Sequence, residues 1–115
     1  MKRGYVPEAG DLVWVSFDPQ SGHEQAGRRP ALVLSPRGYN EKVGLALACP
    51  VTSKVKGYPF EVPLYMSRVR GVVLADQIRS FDWRSRQFTY IEHAPVDAVD
   101  EVVHTLQMLL PVVED

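Results

Sequence analysis

Residues 10–36 read GDLVWVSFDPQSGHEQAGRRPALVLSP, two strand-like runs flanking a polar loop. The first run, Leu12-Val13-Trp14-Val15-Ser16-Phe17, is rich in β-branched and aromatic residues. The second, Ala31-Leu32-Val33-Leu34, is almost continuously apolar and opens with Pro30, which a strand tolerates at its start. Pro19, Gly22 and Gly27 punctuate the chain between them and predict a long exposed connection. That loop carries one carboxylate, Glu24, and two guanidiniums, Arg28 and Arg29. Loops held by a rigid sheet are common seats of binding and catalytic groups. A carboxylate can accept a proton, and a guanidinium can balance negative charge on phosphate oxygens. The competing reading is a solvated loop whose charges pair weakly with one another.

Outward from this stretch the pattern stays β-like until Pro95. Strands are expected near Asp11–Phe17, Pro30–Ser35 and Leu45–Val51, with a turn or one helical turn over 36–44. Shorter strands follow at Phe60–Leu64, Gly71–Leu74, Ile78–Asp82 and Phe88–Ile91. Pro59 and Pro63 favour an edge position for the first of these. After Pro95 the period changes. Val96, Val99, Val103, Leu106 and Leu110 recur every three or four residues, widened by Val102 and Leu109. This spacing predicts an amphipathic helix of about four turns, with Pro95 in its first turn and Pro111 limiting it. Asp97, Asp100 and Glu101 sit near its positive end. A mainly β fold with a C-terminal helix follows, a small barrel or sandwich forming a single domain over 1–115.

Composition bounds the chemistry. The chain has 115 residues, 45% of them hydrophobic, enough for one core. It contains no apolar run of membrane-spanning length and no signal-peptide pattern, so a soluble cytoplasmic protein without a membrane partner is expected. The lone Cys49 lies in the apolar run Leu45–Val51 and reads as a small core residue. His23, His93 and His104 are far apart, and no His/Cys/Asp cluster has metal-ligand spacing, so neither a metal site nor a cofactor is expected. The net charge of −1 argues against a non-specific nucleic-acid coat. Yet residues 1–92 balance at +4 and residues 93–115 at −5, a distribution compatible with RNA on one face.

Four blocks carry a family resemblance: GDLVWVSFDP, GHEQAGRRPALVLSP, PVTSKVKGYPFEV and GVVLADQIRSFDWR. In this order and spacing, from about Tyr5 to about Arg84, the chain resembles the MazF/PemK family of toxin endoribonucleases. The resemblance implies a small SH3-like barrel of the CcdB/PemK type and sequence-specific, metal-independent cleavage of single-stranded RNA. It also implies a homodimer, neutralised by a cognate antitoxin with an acidic C-terminal tail. The family's catalytic pair falls on Glu24 as base and Arg29 as charge stabiliser. Arg28 reads as a phosphate clamp, because its proton is too tightly held for an acid. The leaving-group acid stays open between protonated Glu24, His23 and water.

The resemblance also implies a phosphate-contacting hydroxyl at Thr52 or Ser53, with Thr52 the better match and turn capping the equal alternative. Lys54 and Lys56 extend a positive groove or a solvated loop, and Tyr58 is a candidate stacking platform. Phe60 is expected in the core; Trp14 and Phe17 are assigned to core or interface. Asp76-Gln77 reads as structural, and the role of Trp83 is open. Two other functions fit a barrel of this kind. One is a gyrase-inhibiting poison of the CcdB kind, disfavoured by the acidic end Glu114-Asp115; the other is a non-catalytic adaptor for RNA or peptides, which would not need Glu24.

Overall fold

The computed structural model describes residues 4–16 and 27–114. Seven strands form the body: β1 (Asp11–Ser16), β2 (Arg28–Val33), β3 (Leu45–Thr52), β4 (Glu61–Tyr65), β5 (Arg70–Leu74), β6 (Arg79–Asp82) and β7 (Thr89–His93). Among the described residues two helices complete it, α1 (Arg37–Val43) and α2 (Val96–Leu109), together with a 3-10 turn at Ala75–Gln77. The fold is mainly β with a C-terminal helix, as the sequence pattern implies.

Strand β3 organises the sheet because it is long enough to fork. Its first half, Leu45–Ala48, pairs with β6, and its last residues, Val51 and Thr52, pair with β5. Its other edge pairs with β2, giving the order β4-β5-β3-β2-β1-β7. β4 lies at the sheet edge, where Pro63 costs no ladder hydrogen bond.

Alternating side chains bury both faces of the central strands. Leu12, Leu32, Cys49 and Val51 enter one core with Val62, Leu64, Val73 and Ile91, covered by α2 through Val102. Val13, Val15, Ala31, Val33, Ala46 and Ala48 enter a second core with Phe81, Trp83 and Phe88. Each fully buried aliphatic side chain there contributes about 1.5–3 kcal/mol.

Two local expectations change. Residues 36–44 hold two turns of helix rather than a turn or one helical turn, ended by Gly44 in the left-handed region (φ 82°). A fully buried Asn40 fixes that helix: its side-chain amide donates to the carbonyls of Pro7 (2.8 Å) and Ser35 (3.0 Å). In turn Ser35 Oγ donates to Asn40 Oδ1 (2.6 Å), and Trp83 Nε1 donates to the Asn40 carbonyl (2.8 Å). Helix α2 ends ahead of Pro111 as expected, with Pro95 at its N-cap rather than in the first turn. Its buried stripe, however, is Ala98, Val99, Val102 and Leu106. Val96, Val103 and Leu110, spaced by seven, form a separate exposed stripe. The sequence shows an apolar band wider than one packing surface can cover, and periodicity alone does not say which edge is left out. Among the described residues no helix is long and apolar enough to cross a membrane.

Candidate active site

A cavity of about 410 Å³ opens where β2, β3 and the approach to β5 meet. Trp14, Arg29 and Pro30 form one wall, and Val51, Thr52, Ser53 and Lys54 form the second. Arg68, Val69 and Arg70 form the third. Among the described residues, four cations line it and no carboxylate does. A site of this kind attracts anions, and each charge-assisted hydrogen bond to a phosphate oxygen contributes about 1.5–3 kcal/mol.

The two arginines of β2 have different surroundings. Arg28 donates its guanidinium to Thr89 Oγ1 (2.7 Å), and Thr89 Oγ1 donates onward to the Gln87 carbonyl (3.1 Å). Arg29 faces Val15 across the strand pair and lines the cavity, with no ion-pair partner among the described residues. Arg28 is therefore held against β7 outside the cavity lining, whereas Arg29 is available to a ligand.

Thr52 serves the turn: its Oγ1 accepts the Lys54 backbone N–H (3.1 Å). That bond uses an acceptor lone pair and leaves the hydroxyl proton to donate into the cavity, so the two sequence readings are compatible. The close pairing of β5 with this segment depends on Gly71, whose φ is +147°. A Cβ there would lie 2.1 Å from the Thr52 carbonyl oxygen. Only glycine permits that approach.

Arg68 and Arg70 escape the sequence reading, although a signal was available. In Arg68-Val69-Arg70 the central valine is buried and both flanking residues are exposed, a period of two. Both arginines are oriented by backbone carbonyls: Arg68 Nη1 donates to Ile91 (3.3 Å) and Arg70 Nε to Met66 (3.2 Å). Nearby, Glu92 accepts from Ser67 Oγ (3.1 Å) and the Arg68 backbone N–H (3.0 Å), which anchors this turn.

A smaller cavity of about 170 Å³ adjoins the first, sharing Thr52 and Lys54. Lys56, Tyr58, Phe60, Glu61, Leu74 and Gln77 also line it. Phe60 is not a core residue as expected; it is half-buried and stacks on the exposed Tyr58, ring centroids 5.2 Å apart. The reason is a loop anchor: Glu61 accepts the backbone N–H groups of Lys56 (3.1 Å) and Gly57 (2.9 Å), curling the segment back over β4.

The structure thus brings Arg29, Thr52, Ser53 and Lys54 together, with Lys56 and Tyr58 in the adjoining cavity. Trp14 packs against the core and also lines the site. Glu24, His23 and Phe17 lie outside the described residues. Cys49 is fully buried, as expected, and burial followed by the charge of Asp76 pushes its thiol up to about 12. No group of His, Cys, Asp or Glu among the described residues could hold a metal.

The chain as a whole is similar to known proteins. Residues 8–110 match the model of the PemK-like, MazF-like toxins of type II toxin–antitoxin systems. The endoribonuclease toxin MazF of Escherichia coli K12 is 58% identical over 85 residues, covering 74% of this chain and 77% of that protein. A crystal structure of MazF from Deinococcus radiodurans superposes with a TM-score of 0.84 at 60% identity, covering 93% of this chain and 98% of that one. A MazE–MazF crystal structure from the same organism superposes at 0.83 with 55% identity, covering 93% and 97%. With the match spanning both the β2 arginines and the β3–β5 walls of the cavity, the chain belongs to the PemK-like, MazF-like toxin family of type II toxin–antitoxin systems.

Proposed function

We propose that this protein is a sequence-specific endoribonuclease toxin that cuts single-stranded RNA without a metal ion. The observation that carries the reading is the cavity in which Arg29 and the Thr52 hydroxyl face a common space walled by Lys54, Arg68 and Arg70. In the proposed reaction Glu24 accepts the proton of a ribose 2′-hydroxyl, and that oxygen attacks the adjacent phosphorus. Arg29 balances the charge growing on the non-bridging oxygens, where a fixed guanidinium is worth most. The bond to the 5′-oxygen breaks, and that oxygen takes a proton from protonated Glu24, His23 or water. The products are a 2′,3′-cyclic phosphate and a 5′-hydroxyl. Thr52 and Ser53 donate to phosphate, Arg28 supports the strand, and Lys54 and Lys56 extend the positive track. Tyr58, backed by Phe60, offers a ring for base stacking.

The working form is a homodimer in the cytoplasm, inhibited by an antitoxin whose acidic, partly disordered tail occupies the same basic groove. Carboxylates on that tail would meet the cations that RNA phosphates meet, and binding would order it. Purified protein should cut single-stranded RNA in EDTA and leave duplex RNA intact, with Glu24→Gln reducing the rate about 100-fold. Strict dependence on added divalent metal, a 5′-phosphate product, or full activity in Glu24→Gln would overturn the mechanism.

A further inference from the structure

A second cavity, about 440 Å³, lies against the opposite face of the sheet and takes no part in the proposed cleavage. Its lining includes Tyr5, Arg37, Glu41, Trp83, Arg84 and Gln87. Trp83 and Phe88 belong to the core on that face, whereas Trp14 packs with the other. The volume lies within the range of sites that hold small ligands.

Its chemistry is specific. The Trp83 indole is 5% exposed and pinned through Nε1 to the Asn40 carbonyl. The Arg84 guanidinium lies 4.6 Å from the centroid of that ring, so its plane is supported from beneath. Arg37 projects from α1 into the same space, and neither arginine has an ion-pair partner among the described residues. Gln87 has φ 56°, the one positive value among the described non-glycine residues, and Ser16 Oγ donates to its side-chain oxygen (3.4 Å). Such backbone strain persists only where the surroundings enforce it, and it concentrates at functional positions. Glu41 adds a single acceptor at the rim.

We propose that this cavity binds a nucleotide unit: phosphate on the Arg37 and Arg84 guanidiniums, base against the Arg84 plane, and ribose hydroxyls or an exocyclic amino group on Glu41. Guanidiniums grip phosphate through paired N–H donors and stack on bases, and a carboxylate accepts from hydroxyl or amino groups. The unit comes either from the RNA strand extending past the groove or from a free mononucleotide.

The chain has two tryptophans, so the indole N–H resonances of the native protein report the two cavities separately, Trp14 the groove and Trp83 this site. Titration with adenosine 5′-monophosphate should shift the Trp83 resonance and saturate. Replacing Arg37 and Arg84 together by Ala should weaken that binding about tenfold or more, as for loss of charged hydrogen bonds. Both residues are exposed, and Arg29→Ala should leave the Trp83 response intact. A short RNA with a deoxyribose at the cut site then separates the sources: displacement of the nucleotide identifies the strand, and simultaneous binding identifies a free nucleotide. A Trp83 resonance unmoved at millimolar nucleotide, or a shift that survives loss of both arginines, would overturn the proposal. Loss of RNA cleavage in other variants would not bear on it.

Discussion

Two charged regions of this small protein treat their charges in opposite ways. At the start of β1 Asp11 is buried and its carboxylate is fully engaged. It accepts from the Tyr5 hydroxyl and the Glu8 backbone N–H (3.0 Å), and faces His93 Nδ1 (3.0 Å). It ties the N-terminal segment to β7. In the groove around Arg29 the cations converge with no carboxylate lining the cavity among the described residues, and the Arg68 and Arg70 guanidiniums donate to backbone carbonyls. A charge with all its partners inside the fold stabilises the fold; a charge held in place without a counter-charge is available to something outside it.

The comparison predicts a double dissociation, the largest effect expected here. Arg29→Ala should slow RNA cleavage by about 100- to 1,000-fold, the scale of a lost charge stabiliser. Its unfolding free energy should stay within about 0.5 kcal/mol of the native protein, as for other surface changes. Asp11→Ala should do the reverse, costing about 1–3 kcal/mol because buried donors lose their acceptor, while folded protein cleaves normally. Arg28→Ala should fall between, altering RNA affinity and its salt dependence more than rate. Urea unfolding and single-turnover cleavage on the same preparations measure both axes. Equal loss of stability in Arg29→Ala and Asp11→Ala would break the contrast.

The place where the two regimes meet is the β3–β5 contact, because the groove's hydroxyl wall is also a piece of sheet. Gly71→Ala would drive a Cβ into the Thr52 carbonyl, backbone against backbone, at a φ that alanine rarely adopts. The expected cost is about 2–3 kcal/mol, in the range of overpacked sites, together with a drop in cleavage beyond what stability explains. Near-native activity in the folded fraction would show that the Thr52 segment can shift without harm to the site.

Much of this was legible in the sequence, and the failures have physical reasons. The β-branched and aromatic run of Leu12–Phe17 and the apolar run of Ala31–Leu34 locate β1 and β2 because each strand is buried on both faces. The stretch Glu24–Pro30 makes Arg28 and Arg29 candidates, but nothing in their order tells that Thr89, sixty-one residues away, holds the first of them. The period of two around Val69 shows Arg68 and Arg70 to be exposed, but their place at the groove comes from β5 lying beside β3, a pairing between distant segments. Phe60 was misplaced because an aromatic beside a strand reads as core, whereas the Glu61 anchor turns the loop outward. Local pattern reports which side chains are apolar; it does not report which distant strand supplies the neighbour.

The smallest expected effect concerns the core beneath the groove. Cys49 has an ordinary value of 9.0, and burial first, then the charge of Asp76, pushes it up to about 12. Below pH 9 the thiol is protonated in both folded and unfolded chains, so its full contribution to stability stands. As pH rises from 9 towards 12, the unfolded chain releases the proton and the folded one does not. Stability then falls, by at most about 1.4 kcal/mol per pH unit from this group. Tyr5 acts in the same direction from its ordinary value of 10.0 upward, raised by burial and then by its hydrogen bond to Asp11. Tyr5 is common to the native protein and a Cys49 variant, so the difference between the two isolates the thiol. Cys49→Ala should be less stable than the native protein at pH 7 by a cavity cost of about 1 kcal/mol, and that gap should narrow between pH 9 and 10. The Asp11 clamp, meanwhile, should show its own alkaline loss only above 10, through Tyr5. Parallel stability curves for the two proteins up to pH 10 would mean that the thiol ionises as easily in the fold as in the unfolded chain.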